Sequence, residues 1–298
     1  MPYQEITCNT AIGHLKRQFP YAWNMNPYRG CAHGCRYCFA MYSHRYLDDS
    51  GDYFNDIYVK TNIVDRLELQ LRRPSWKREI INIGGVADCY QPAEAHYQLM
   101  PEILKLLIRY RTPCIICTKS TLVLRDYDLI DELSRLTYVN VAATVTCMDE
   151  NIRKKLEPGG APSSQRFAML KEFSKTNVST GLHVMPIIPY LTDNEANLRA
   201  LFAQAADCHA GYVLPGALYL RGNTRQVFFS FIQETFPELY EPLAQLYKKG
   251  SAGKDYKDRL YQMVNKIKRQ YGLNGSYSAL MREKMPHTEN RQLSMFDD

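Results

Sequence analysis

The chain has 298 residues, 45% of them hydrophobic and 23% charged, enough apolar material for one large α/β barrel or two ordinary domains. No run of 18 apolar residues occurs, so an ordinary membrane-spanning helix is excluded, and the start MPYQEITCNT lacks the basic and apolar parts of a secretory signal. The 37 basic and 31 acidic side chains leave +6, which permits a polyanionic partner without requiring one, and the nine cysteines fit reduced thiols in a cytoplasm better than a disulfide framework.

From residue 57 onward, short apolar runs alternate with longer helix-like stretches. IYVK (57–60) is followed by NIVDRLELQLRR, and IINIGG (80–85) by HYQLMPEILKLLIRY. PCIICTKS (113–120) is followed by LRDYDLIDELSRL, and VNVAATVT (139–146) by SSQRFAMLKEFSKT. STGLHVMPIIP (179–189) leads into NEANLRALFAQAA, and AGYVLPGALYL (210–220) into NTRQVFFSFIQETF. These strand–helix units predict parallel βαβ connections with right-handed crossovers. The strands are apolar nearly throughout, as strands covered on both faces are. Periodicity alone admits a doubly wound sheet or a partial barrel.

After about residue 237 the alternation stops. ELYEPLAQLYKKG and KDYKDRLYQMVNKIKRQYG predict helices outside the repeat. The division is a core over 1–236 with its N-terminal lead-in, a helical extension over 237–272, and a polar, flexible tail over 273–298.

The chemistry concentrates in NPYRGCAHGCRYCFA, residues 26–40, where Cys31, Cys35 and Cys38 fall within eight residues. Their spacing also fits one helix face, but Gly30, Gly34 and the Asn26-Pro27 pair favour a loop. A structural zinc ion wants four ligands; His33 or His44 offers one, and no second pair of cysteines stands in a suitable loop. The CIIC of residues 114–117 lies on a predicted strand, where residues three apart face opposite ways, and reads as core. Three thiols on a glycine-rich loop suit an iron–sulfur cube with one iron left without a protein ligand. The open position is then kept for a substrate, as at a catalytic metal.

This cysteine spacing, with Tyr37 before the last cysteine, resembles the signature of the radical S-adenosylmethionine enzymes. The segments NPYRGCAHGCRYCFA, SHRYL, DCYQPAE, CTKSTLVLRDYDLI, LEPGGAPSSQRFAML and PIIPYLTD resemble the spore photoproduct lyase-like group over roughly residues 24 to 220. The resemblance implies a partial (β/α)6 barrel of the TIM type, with a short first strand near residues 21–28 and the cluster loop after it. It implies a 4Fe-4S cluster on Cys31, Cys35 and Cys38, and S-adenosylmethionine as cofactor. The open iron chelates the methionine amino and carboxylate groups, an external electron donor reduces the cluster, and cleavage of the sulfonium gives a 5′-deoxyadenosyl radical. The cofactor carries that chemistry and the protein positions it.

The remaining contacts implied by the resemblance lie at strand ends. Gly84 and Gly85 face the methionine amino group. Asp88 bonds that group or orients the turn. Lys119, with Ser120 beside it, pairs with the methionine carboxylate. Thr144 and Thr146 meet the ribose. Arg153, Glu157 and Arg166 clamp the carboxylate or order their loop, and Tyr37 contacts the adenine or packs. The group's hydrogen-donor cysteine falls at Gly85 here, so Cys89 stands as the nearest thiol and Cys147 as a more distant one. The resemblance points to DNA as substrate class, in lesion repair. Modification of RNA or a peptide, or a non-catalytic iron–sulfur module, are the alternatives. Within the tail, Gln292, Leu293, Met295 and Phe296 resemble the short peptide by which bacterial replication and repair proteins dock on the sliding clamp.

Overall fold

The computed structural model describes residues 3–16, 20–46, 51–273 and 275–285. Two lead-in strands, β1 (Gln4–Ile6) and β2 (Ile12–His14), precede β3 (Trp23–Met25) and the short β4 (Tyr28–Arg29). A 3-10 segment over Phe39–Tyr46 leads to β5 (Tyr58–Lys60) and α1 (Ile63–Leu71). Next come β6 (Ile81–Ile83), α2 (Pro92–Tyr97), α3 (Leu99–Arg109), β7 (Cys114–Thr118) and α4 (Tyr127–Leu136). They are followed by β8 (Val139–Thr144), α5 (Glu150–Leu156), α6 (Ser163–Phe173), β9 (Ser179–Ile187) and α7 (Glu195–Asp207). After β10 (Tyr212–Ala217) come α8 (Asn223–Thr235), α9 (Tyr240–Leu246), α10 (Lys254–Gln270) and α11 (Tyr277–Lys284). Among the described residues no helix is long and apolar enough to cross a membrane.

The main sheet runs β10-β9-β8-β7-β6-β3-β2. Its six strands from β3 to β10 pair in parallel, and β2 joins β3 antiparallel at the edge. Spatial order follows chain order without reversal, so right-handed crossovers all place their helices on one face. That is the winding of a barrel rather than of a doubly wound sheet, and the expected partial (β/α)6 barrel is the fold. The membership of the strands is corrected at one point. Residues 58–60 form β5, but in a separate three-stranded sheet with β1 and β4. The first barrel strand is β3, and α1 is the crossover between β3 and β6. An apolar strand signal does not say which neighbour it pairs with.

Alternation along the strands sorts the side chains. Met25, Ile83, Ile116 and Val141 lie in one register row, fully buried in the core that the helices share. From α3, Met100, Ile103, Leu104 and Leu107 enter that core with no exposure; each contributes about 1.5–3 kcal/mol. The alternate row, Asn24, Asn82, Ile115 and Asn140, points into the barrel, where Asn82 donates to Asn24 Oδ1 at 2.9 Å.

The two helices expected beyond the repeat form as α9 and α10. Leu260, Val264 and Ile267 of α10 are buried in the main core. The flexible tail expected from residue 273 is corrected for its described part. Ser276 caps α11 by accepting from Ala279 N at 3.0 Å. Met281 is 1% exposed and packs with Ile80, Ile115 and Tyr138, with Tyr21 and Tyr277 against them. Ile80 and Tyr138 immediately precede β6 and β8, so α11 covers the N-terminal end of the barrel. The segment carrying Gln292, Leu293, Met295 and Phe296 lies outside the described residues.

Candidate active site

The cysteine loop leaves β4 at the C-terminal end of the barrel. Gly30 and Gly34 adopt positive φ of 75° and 65°, a region costly for residues with a side chain. At Gly30 a Cβ would also strike the Asp56 carbonyl. Gln91 clamps the loop from both sides: its Oε1 accepts from Ala32 N at 3.0 Å and its Nε2 donates to Gly30 O at 3.0 Å. Across the loop, Cys31 N donates to Tyr53 O at 3.0 Å, Arg36 N to Leu156 O at 2.9 Å and Gly159 N to His33 O at 2.9 Å.

Cys31 and Cys35 are buried and Cys38 half-buried. Burial pushes the Cys31 thiol up to about 12, with Asp88 and Cys38 adding to the effect. Burial likewise raises Cys35 and Cys38, and for Cys35 the other two thiols contribute. The three are therefore close enough to disfavour one another's ionisation, which is the situation a cationic metal group relieves by displacing their protons. Among the described residues no three His, Cys, Asp or Glu side chains already form a metal-binding group. The softness and number of the thiols fit an iron–sulfur cluster.

Asp88 is spent within the protein. Its Oδ1 accepts from Tyr90 N at 2.9 Å and from the Thr118 hydroxyl at 2.8 Å; its Oδ2 accepts from Lys119 N at 2.8 Å. His33 Nε2 lies 3.1 Å from the same Oδ2, and its Nδ1 lies 2.8 Å from Gly159 O. Burial alone would raise the carboxyl, but His33 and these donors hold it well below the usual range. Asp88 thus ties the cysteine loop, the turn after β6 and the end of β7 together. In that turn Gly84 has φ of 82°, and a Cβ on Gly85 would come within 2.6 Å of Asn24 Oδ1.

Lys119 follows β7, with its ammonium 5.8 Å from the Tyr37 ring centroid. Burial lowers its pKa, but Cys35 and Glu157 outweigh this and keep it a cation. No ion pair forms at its ammonium among the described residues, so it is free to meet an anion. Ser120 instead caps the next turn, accepting from Leu122 N at 3.1 Å.

Close to Lys119 lies a buried ionic network. Fully buried Glu157 accepts from the Tyr37 hydroxyl and, at 3.1 Å, from Thr146; it pairs with Arg166 Nη1 at 2.6 Å. Burial raises the carboxyl, and Arg166 and Lys119 more than offset it, leaving it below the ordinary value. Arg166 also donates to Thr144 O and Ala161 O at 2.7 Å each. Gly160 is needed here, because a Cβ would strike Arg166 Nη2. That Nη2 is buried without a hydrogen-bond partner. Arg153 donates to Glu157 O at 2.9 Å and Gly160 O at 2.8 Å, which orders the loop. The Tyr37 hydroxyl is directed at Glu157.

Of the other thiols, Cys89 is fully buried in the core and raised by that burial, and Cys147 is 2% exposed. Cys117, read from the sequence as core, is half-buried. Its Sγ faces the barrel interior, 3.2 Å from His183 Nδ1 and 3.5 Å from Thr144 Oγ1. His183 Nε2 lies 3.1 Å from Tyr212 OH, which donates to Asn140 Oδ1 at 3.1 Å. Burial opposes ionisation of Cys117, yet His183 and its neighbours bring its pKa below the ordinary thiol value. The partners stand 66 residues apart, so no local signal exposes the pair.

Uncharacterised proteins share the sequence: one of Mycobacterium tuberculosis is 35% identical over 292 residues, covering 96% of this chain and 85% of its own. One of Methanocaldococcus jannaschii is 27% identical over 246 residues, covering 83% and 86%. A solved spore photoproduct lyase mutant with bound AdoMet and dinucleoside spore photoproduct superposes with a TM-score of 0.67 at 12% identity, covering 90% of this chain and 78% of the lyase. That likeness is one of fold. The family model described as "Radical SAM superfamily" matches residues 25–202, from β3 through most of α7. The chain therefore belongs to the radical SAM superfamily, whose members use a 4Fe-4S cluster and S-adenosylmethionine.

Proposed function

We propose that this protein is a cytoplasmic radical S-adenosylmethionine enzyme in which Cys31, Cys35 and Cys38 hold the cluster and leave one iron for the cofactor. The observation that carries this reading is the braced loop of three closely spaced thiols beside the Lys119 ammonium, which forms no ion pair among the described residues. When bound, cluster and cofactor supply reductive cleavage of the sulfonium to a 5′-deoxyadenosyl radical, which takes a hydrogen atom from the substrate. Lys119 binds the methionine carboxylate by charge, and the Gly84-Gly85 turn lets backbone approach the amino group. Asp88 positions that turn through the Lys119 and Tyr90 amides. Glu157 and Arg166 hold Tyr37, Thr144 and Thr146 around the cofactor.

DNA is the substrate class we favour. In support stand the fold shared with a lyase solved with a dinucleoside lesion, the net charge of +6, and the clamp-like Gln292, Leu293, Met295 and Phe296. Reversal of a thymine dimer through a thiol is not favoured, because Gly85 replaces the donor cysteine and Cys89 has no exposure. Modification of RNA or a peptide is the alternative. Anaerobically reconstituted, reduced protein should release 5′-deoxyadenosine, and Cys31→Ala should not; no release from the wild type would overturn the enzyme reading. Mass spectrometry of irradiated DNA, RNA and peptide after incubation identifies the substrate. The tail peptide should bind the sliding clamp at micromolar affinity and lose it in Gln292→Ala and Phe296→Ala. No binding at ~100 μM, weaker than about −5.5 kcal/mol, would remove the clamp.

A further inference from the structure

A groove of about 540 Å³ lies on the outer side of the cysteine loop, lined by Arg36, Lys154, Lys155 and Pro158 and by Phe231 and Glu234 of α8. Its walls are fastened to the loop. Arg36, between Cys35 and Cys38, donates its backbone N–H to Leu156 O at the end of α5. A Cβ on Gly34 would come within 3.0 Å of Pro158 Cγ, so the loop lies directly on the groove wall. From α8, the Thr224 hydroxyl donates to Cys38 O at 2.9 Å. Cys35, Leu156 and Phe231 share one apolar cluster, so the groove wall is continuous with the packing around that thiol.

The lining is basic and its charges are not consumed. Lys154 and Lys155 are exposed. The Lys155 ammonium lies 4.8 Å from the Phe236 ring centroid, and the Arg36 guanidinium 5.9 Å from that of Phe231. Arg36 Nε is buried without a hydrogen-bond partner. Three cations face one carboxylate, Glu234, and none of the three forms an ion pair among the described residues. Neither Lys119 nor the Gly84-Gly85 turn, assigned above to the cofactor, lines this groove. An electron for the cluster has to arrive from outside, past a surface that need not open the mouth.

Resting on the reading above, we propose that this groove docks an acidic protein that donates one electron, such as a reduced ferredoxin. The step moves one electron from donor to cluster. The donor is oxidised, the cluster reduced, and no bond or proton changes hands. Such encounters use small interfaces and depend on complementary charge for their rate. Phe231 and Pro158 supply the apolar floor, and the cations supply the steering.

The test is stopped-flow reduction of the reconstituted holoprotein by a reduced acidic ferredoxin, at low and high salt, with dithionite as the small-molecule control. Titration of oxidised ferredoxin into the holoprotein reads binding directly. In Lys154→Glu/Lys155→Glu, ferredoxin-driven reduction should slow about tenfold or more at low salt and lose its salt dependence. Binding should weaken in parallel, while iron content and dithionite reduction stay at wild-type values. Lys154→Gln/Lys155→Gln should fall between. Unchanged rate and affinity for ferredoxin would overturn the docking surface. So would loss of duplex DNA binding with ferredoxin reduction intact, which would assign the groove to nucleic acid. If the reconstituted wild type retains no iron, the cluster assignment itself falls, an outcome distinct from either.

Discussion

The two ends of the barrel are made of different chemistry. At the C-terminal strand ends stand three thiols, a free lysine and a buried carboxylate–guanidinium pair, held by glycine turns and loops. At the N-terminal ends stand Ile80, Tyr138, Tyr277 and Met281, closed over by α11. The first end gathers polar and ligating groups, and the second is packed apolar surface. In parallel barrels such a division puts reactivity at the C-terminal mouth and stability at the other end. Each end should therefore fail in its own way.

The largest effect is at the thiols. Cys31→Ala, Cys35→Ala and Cys38→Ala should each abolish iron retention and 5′-deoxyadenosine release while the apo-protein unfolds as the wild type does. Arg166→Met comes next. It removes the ion-pair partner of the fully buried Glu157 and should cost about 3–5 kcal/mol in denaturant unfolding. Its pH dependence has a definite sign. The folded Glu157 carboxyl titrates below its ordinary value, so its stabilisation is present above about pH 4 and lost as pH falls through the depressed value. The gap between wild type and Arg166→Met should then be widest near neutrality and narrow in acid.

Lys119→Ala should weaken S-adenosylmethionine binding ten- to a hundredfold, about 1.5–3 kcal/mol, with iron content intact. Unchanged affinity in a calorimetric titration would take Lys119 out of the cofactor site. At the far end, Met281→Ala should cost about 2 kcal/mol of stability, with iron content and cofactor affinity untouched. A change in either would show that the ends are coupled, with the Cys117–His183–Tyr212 column as the obvious route between them.

What could be read from the sequence was what chain-local spacing determines. Cys31, Cys35 and Cys38 with Gly30 and Gly34 report their loop because ligand spacing and positive φ are properties of neighbours. The strand–helix alternation reported the barrel for the same reason. The assignment of β5 failed because Val59 and Ile57 are equally apolar whichever sheet they join. The α11 helix hid in a polar segment because its buried side, chiefly Tyr277 and Met281, is too short a pattern to register. Asp88 and Glu157 were placed in the right neighbourhood, but not the partners that occupy them, since His33 and Arg166 meet them only in the fold. Cys117 looked like core because its strand is apolar, and its histidine arrives from two strands away.

The central claim is that three thiols hold an iron–sulfur cluster with one open iron. It is tested most directly by metal analysis and absorption spectroscopy of protein purified without air and reconstituted with iron and sulfide. The account predicts about four irons per chain, with a broad thiolate-to-iron absorption near ~400 nm that disappears in Cys35→Ala. Stoichiometric zinc with no iron in the anaerobically purified protein would contradict it.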